Sequence, residues 1–533
     1  MAKAQKNFLS GALILTVANV LVKIIGAIYK IPLANWIDTV GMNYYNDAYQ
    51  IYSLLYVLST AGVPVAIAKM VSESVVEKRL QEPKKILKIS TAVFAVIGII
   101  LMILMMLFVE PLSNLLASDA ANHCITLIAP AIFLVAISAT IKGYFQGYKC
   151  MTPTATFQVI EAAFKLVGLG IVGIMRLQGI TDPMILACGG VLGVTFGSFS
   201  ATIFMVIRFM RERELGRDIA DTLPSRSGRA IAKTTLTLAI PISLSSAVMS
   251  VTSTLDMFLV KWNLQEYGLS NDQVIDVYGA YSGGTSSLFN LIPAITVTVG
   301  IAVLPFLTSA LAAGKKEEAY TNMRSAAKVV SLIAMPCALG MSIMSEPIVK
   351  LLYVDSYWEV VIPTLRLLAI SVFFVSFVSL TGVYLQAAGK VKTSLMTMGV
   401  GAVMKLTVNI IAVRSIGIMG APLGTFACYT SIAALNIYFI YKYVGFRFPV
   451  KDTFLKPAIC SMVCCAAAYG VWKLLCISGL SLKLALFPAV LVAVVIYAVL
   501  LLVLKVLAKE DMALIPKGDR LGTFLEKKGW IHG

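Results

Sequence analysis

The sequence predicts an all-α polytopic membrane protein of about 14 transmembrane helices, and three observations predict it. Hydrophobic residues make up 59% of the 533 and charged residues only 13%, with a mean hydropathy of +0.86. Apolar runs of about 20 residues recur from end to end, each long enough to cross a hydrocarbon core about 30 Å thick. Basic residues gather in alternate gaps between those runs. A soluble chain of this length would carry polar helix faces and far more charge.

The first run, 7–31, follows Lys3 and Lys6; it is too long for a signal-peptide core and lacks a small-residue cleavage site, so it reads as an uncleaved first helix. Hydropathy breaks then give 44–68, 87–109, 124–147, 155–176 and 183–208. A basic linker, 211–233, precedes 234–260, 286–312, 323–345, 362–388, 392–413 and 418–442. A last pair lies at 453–475 and 483–507, followed by a basic tail, 509–533.

Charge sets the expected orientation. The gap after the second run holds Lys69, Lys78, Arg79, Lys84, Lys85 and Lys88, and the linker region holds Arg208, Arg211, Arg213, Arg217, Arg226 and Arg229. The opposite gaps carry only Asp38, or Glu110 and Asp119. Both termini are therefore expected on the cytoplasmic side, which an even number of crossings also requires. The +17 net charge follows this placement, so its expected partner is anionic membrane lipid and not nucleic acid.

A shift of 240 residues aligns Phe133 with Phe373, Val135 with Val375, Tyr144 with Tyr384, Gln146 with Gln386, Ala162 with Ala402, Lys165 with Lys405 and Leu166 with Leu406. Apolar matches are cheap here, but Tyr, Gln and Lys in one ungapped register are not. The fourth and fifth helices thus correspond to the tenth and eleventh. Six is even, so the expected repeat is parallel: an N-lobe over 1–210 and a C-lobe over 234–444, with the pair at 452–508 outside it. Pro64, Pro130, Pro241, Pro293, Pro305, Pro336 and Pro422 fall in the runs, where each removes a backbone bond and can bend a helix.

Lys23, Lys30, Lys165 and Lys405 lie inside runs otherwise fit for a bilayer. A lysine at a membrane-helix centre costs roughly 3 kcal/mol on insertion scales, and four approach about 12 kcal/mol. Such residues face water-filled cavities or partner charges and mark a path for something charged. Lys23 and Lys30 stand seven apart on one helix face, about 10 Å along the axis, with Gly26 between them. Two ammonium groups so placed can bind a phosphate or pyrophosphate; snorkelling to headgroups is the plain alternative for Lys30. Glu161 and Lys165 form an i, i+4 pair, which suits either a coupling role or simple mutual neutralisation. Lys405 has Gly401 at that offset; its expected counter-ion is Asp256, with Asn409 one turn away. Asp47 heads the second helix among Tyr44, Tyr45, Tyr49 and Tyr52. The tyrosines read as an interfacial belt, Asp47 as a gating or substrate contact.

Enzyme chemistry finds little footing. The chain has two histidines, His123 and His532, no HExxH and no nucleophile elbow. Nine scattered cysteines read as packing residues, with no disulfide framework, zinc site or cofactor implied.

The segments LVKIIGAIYK (21–30), GMNYYNDAYQ (41–50) and AGVPVAIAKM (61–70), with the helix count and repeat, resemble the multidrug/oligosaccharidyl-lipid/polysaccharide (MOP) exporter superfamily. Within it they resemble the stage V sporulation protein B branch, related to MurJ-type lipid II flippases. The resemblance implies two lobes moving an undecaprenyl-pyrophosphate-linked sugar between leaflets, in partnership with cell-wall synthesis proteins. It places Lys23 and Lys30 on the cavity face of the first helix, matches Asp47 to an acid at the start of the second, and gives the last pair a groove for the lipid tail. The chain departs from that pattern in lacking Lys or Arg over Tyr52–Thr60 and Tyr281–Asn290. Some relatives hold a cation where Asp256 and Asn409 fall; here the Lys405 ammonium is expected to replace it. Two rival activities are a cation-coupled multidrug exporter and a flippase for capsule or spore-envelope units.

Overall fold

In the computed structural model the described residues are 2–79, 81–115, 121–212, 226–504 and 506, and their regular structure is entirely helical. Most of the expected linker and the whole expected tail lie outside them. The helices are α1 (Ala2–Thr60), α2 (Val63–Val76), α3 (Glu82–Leu107), α4 (Val109–Leu115), α5 (Ala121–Gly147), α6 (Thr152–Leu177), α7 (Pro183–Arg211), α8 (Gly228–Glu266), α9 (Asn271–Ala280) and α10 (Ser286–Phe289). There follow α11 (Leu291–Ala312), α12 (Lys316–Ile343), α13 (Ser345–Leu352), α14 (Trp358–Leu368), α15 (Ser371–Ala387), α16 (Val391–Ile416), α17 (Gly420–Val444), α18 (Lys456–Ile477) and α19 (Leu482–Val503).

Eleven helical runs among the described residues are long and apolar enough to cross a membrane, or twelve if the α14–α15 pair, bent by 46°, is one crossing. Two runs are far longer than a bilayer needs: Val17–Val76 with 60 residues and Val391–Val444 with 54. The break in the first is Asp38, at φ 61° and ψ −177°. Its Oδ1 accepts the Thr39 N–H at 2.8 Å, at the point where the first half ends and the second begins. The expected gap at 32–43 is therefore helical apart from a sharp break at Asp38, with Pro32 absorbed in the helix before it.

The prolines divide by position. Pro130, Pro241, Pro305 and Pro336 lie inside helices. Pro64, Pro293 and Pro422 occupy first turns, where the missing N–H costs nothing.

Packing separates the chain into two compact units: residues 1–261 with 270–283, and residues 262–269 with 284–533. In unit one, α5 lies among α1, α2, α3 and α7, and α6 pairs with α7. Its core includes Ile67, Met70, Tyr144, Phe145 and Phe157. The α6–α7 contact is glycine-made: a Cβ on Gly193 would stand 2.6 Å from the Lys165 carbonyl oxygen, and one on Gly168 would stand 2.7 Å from the Gly193 Cα. In unit two, α15 packs on α11, α12 and α17, α16 pairs with α17, and α18 packs on α12 and α19. Its core includes Leu307, Met323, Phe377, Tyr384 and Ile432.

Candidate functional site

α1 supplies the lysine face. Lys23 is exposed and Lys30 half-buried. Nothing lies within 4 Å of a Cβ placed on Gly26, so the face shared by the three residues fronts open space. One residue before Lys30, the Tyr29 hydroxyl donates to the Gly190 carbonyl at 2.7 Å and fixes α1 against α7.

Beyond the kink, Tyr45, Tyr49, Tyr52 and Tyr56 continue from Tyr29 as a ladder with ring centroids 5.7–6.2 Å apart. Tyr45 and Tyr52 are only 4% and 3% exposed. The expected belt is thus an internal seam, because offsets of three and four residues place these rings on the helix face turned to α5, α6 and α7. In the sequence the cluster of Tyr44, Tyr45, Tyr49 and Tyr52 reads as a membrane interface.

Across the seam stands α6, with Phe157, Glu161 and Lys165 at successive four-residue steps. The Glu161 carboxylate accepts from Ser198 Oγ of α7 at 3.3 Å, and Lys165 Nζ lies 6.0 Å from the Tyr49 ring centroid. The two share a face, yet no ion pair within 4.0 Å joins them among the described residues. A third charged residue completes the seam: Lys142 of α5, 7% exposed, holds its Nζ 4.0 Å from the Phe157 ring centroid. Lys142 meets the same criterion as the four lysines named from the sequence, being a charge in an apolar run, but was hidden among the polar residues near the end of α5.

Asp47 is fully buried, and both carboxylate oxygens accept from Lys261 Nζ, at 2.7 and 2.6 Å. Asn43 Nδ2 donates to Asp47 Oδ2 at 2.9 Å. Lys261 is 2% exposed and lies 5.0 Å from the Tyr278 ring centroid. The expected seventh run stopped at 260, one residue short, whereas α8 continues to Glu266. Hydropathy falls at Lys261 itself, so the boundary rule discarded the residue that matters. The same region of α1 is pressed on α9: Thr39 Oγ1 donates to an Asp276 carboxylate oxygen, Asn46 Nδ2 donates to Ser282 Oγ at 2.9 Å, and Gly279 faces the Thr39 carbonyl with no room for a Cβ. Asp256 stands on α8 in unit one; Lys405 and Asn409 stand on α16 in unit two. Among the described residues no group of three His, Cys, Asp or Glu is placed to hold a metal ion.

Comparisons with known proteins fit this architecture. The family model described as "Polysaccharide biosynthesis protein" matches residues 8–311, and a second, MatE, matches 241–411. Stage V sporulation protein B of Bacillus subtilis (strain 168) is 23% identical over 522 residues, covering 97% of this chain and 99% of the relative. Lipid II flippase MurJ of the same organism is 21% identical, covering 88% and 89%. A solved MurJ structure, in an inward closed conformation, superposes with a TM-score of 0.69 at 16% identity, covering 92% of this chain and 98% of that one. An inward-facing multidrug MATE transporter of the MOP superfamily gives 0.62 at 15% identity, covering 81% and 98%. These structural likenesses show the fold. Since the first family model spans more than half of its residues, the chain belongs to the polysaccharide biosynthesis protein family.

Proposed function

We propose that the chain is a flippase that moves an undecaprenyl-pyrophosphate-linked cell-wall precursor, lipid II or a related lipid-linked oligosaccharide, from the inner to the outer leaflet by alternating access. The observation that carries this reading over a drug exporter is one of length. The flippase structure covers 92% of the chain and the exporter 81%. That difference, about a tenth of the chain, is the size of the α18–α19 pair. The pair then serves the lipid tail, a task a drug exporter lacks.

In this reading each of the two long runs crosses twice, giving fourteen crossings with both termini cytoplasmic. Residues 1–210 and 234–444 are the moving lobes, 211–233 links them, and 509–533 is a cytoplasmic tail. Lys23 and Lys30 grip the pyrophosphate. Asp47 works through Lys261 as a gate that must part when the cargo leaves. Glu161, Lys165, Asp256, Lys405 and Asn409 couple the cycle, with the Lys405 ammonium in place of a bound cation. The protein resides in a bacterial cytoplasmic membrane beside anionic lipids and cell-wall synthesis proteins, and it carries out no covalent chemistry. The MatE match over 241–411 favours one rival, a cation-coupled multidrug exporter.

The test is complementation of cells depleted of their lipid II flippase. The wild-type gene should restore growth and Lys23→Ala should not, at equal membrane abundance. Rescue indifferent to Lys23→Ala would remove the grip from α1. Absence of rescue, with export of capsule or spore-envelope units intact, would move the cargo to another glycolipid.

A further inference from the structure

The end of α17 and the strap after it build an amphiphilic pocket that the transport reading does not use. α17 stops at Gly445, whose φ of +80° favours glycine. The chain then runs over 445–449 without regular structure. Successive side chains turn opposite ways: Phe446 is buried and packs its ring 4.9 Å from that of Phe448, while Arg447 between them is exposed. Phe448 sits 5.2 Å from Phe377, and Phe454 sits 5.3 Å from the same ring, which ties the strap to the core of unit two.

Against this floor, Ile437, Tyr438 and Tyr441 of α17 form a wall and Val450 a rim, bordering an open cleft of about 450 Å³. Arg447 stands at its mouth. One guanidinium nitrogen donates to Tyr441 Oη at 2.8 Å, and the group lies 4.9 Å from that ring centroid.

The surroundings are cationic. Lys390 and Lys442 lie 4.8 and 6.0 Å from the Tyr443 ring centroid, and Lys451 follows the strap. None of Lys390, Lys442, Arg447 and Lys451 makes an ion pair among the described residues, whereas Asp452 is taken by Lys456 at 2.7 Å. One apolar run ends at Val444 and the next begins at Lys451, so the pocket lies at the rim of the hydrocarbon. Tyr438, Tyr441 and Tyr443, 55%, 47% and 41% exposed, are the aromatic residues expected there.

We propose that this pocket is a binding site for an anionic phospholipid of the surrounding leaflet, with an acyl chain against Tyr438, Phe448 and Phe454 and the phosphate on Arg447. Charge complementarity selects an anionic head, and a wall made by the outer side of a membrane-crossing helix selects a lipid over a soluble protein. The cleft has about the volume of one acyl chain of ordinary length. The site needs only that the chain spans a membrane, so it stands whatever the cargo proves to be.

Full-length protein in detergent, incubated with phosphatidylglycerol or phosphatidylcholine and read by native mass spectrometry, tests it. The wild type should retain phosphatidylglycerol preferentially. Arg447→Ala should lower that retention about five-fold, the worth of one cation at an anionic surface, and leave phosphatidylcholine unchanged. Arg447→Lys should keep the preference. If Arg447→Ala does not fold, Lys442→Ala with Lys451→Ala, both exposed, asks the same question. Equal retention of the two lipids by the wild type overturns the site, as does unchanged preference in the charge variants. Displacement of phosphatidylglycerol by undecaprenyl phosphate would also overturn it, giving the pocket to the carrier lipid.

Discussion

Asp47 and Lys261 bury one charge each with almost no contact with solvent, and the two carboxylate contacts with the Asn43 bond satisfy much of what burial takes from them. Desolvation costs several kcal/mol per ion, and only close pairing offsets it. Removing one partner should therefore do more harm than removing both. Asp47→Asn or Lys261→Met alone should destabilise the folded protein by about 3–5 kcal/mol, while the double variant should recover most of that. Thermal unfolding in detergent reads the difference. A double variant that folds yet fails in complementation would support a gate; one that rescues growth fully would leave the pair a structural role. Lys142 follows the same physics with a weaker partner, since a ring returns about 0.5–2 kcal/mol to an ammonium. These residues also mark what sequence could disclose. Asp47 stood out by its position, but its partner lies 214 residues away, and no local rule joins them. Lys165 and Glu161 were paired by helix spacing, whereas the structure turns one to Tyr49 and the other to Ser198.

Helix runs were legible because a bilayer demands length and apolarity, and both are written in the chain. Their ends were less so. Asp38 reads as a loop residue but serves as a kink, and Glu82, at the start of α3, falls in a basic gap between runs. Its carboxylate is instead fully buried, accepting the Arg226 backbone N–H at 2.9 Å and the Ser74 hydroxyl at 3.1 Å, with the Arg226 guanidinium paired to it. Close helix contacts were the least visible, because a glycine in an apolar run announces nothing about what approaches it. Neither Gly279 on α9 nor Gly170 on α6 discloses in sequence what approaches it. A Cβ on Gly279 would strike the Thr39 carbonyl, whereas nothing lies within 4 Å of one on Gly170. Gly279→Ala should therefore push α9 from α1, loosen the Thr39–Asp276 and Asn46–Ser282 bonds, and lower the melting temperature, as overpacking typically costs about 1–3 kcal/mol. Gly170→Ala should leave it unchanged. Equal behaviour of the two variants would mean the α1–α9 contact is not held at this distance.

At the scale of the whole molecule, the α18–α19 pair separates the two transporter readings, and lipid physics makes it removable. α18 packs on α12, and Tyr497 of α19 donates to the Leu332 carbonyl at 2.8 Å. Their loss would uncover a face of α12. In water that exposure would be ruinous, but lipid tails are as apolar as the side chains they would replace, so the driving force holding helix to helix is small. The exporter structure, aligned over 98% of its own length, covers 81% of this chain, against 92% for the flippase structure. A chain ending at residue 450 should thus insert and unfold cooperatively at a modestly lower temperature, while losing the ability to replace a lipid II flippase. Full rescue by the shortened chain would detach the pair from the lipid tail and return the exporter reading to first place. Failure to insert would show that α12 needs the pair as packing, contrary to the argument from lipid. The useful outcome is the split one, a folded protein that no longer carries its cargo, because only a groove for the tail predicts stability and transport to part company at this boundary.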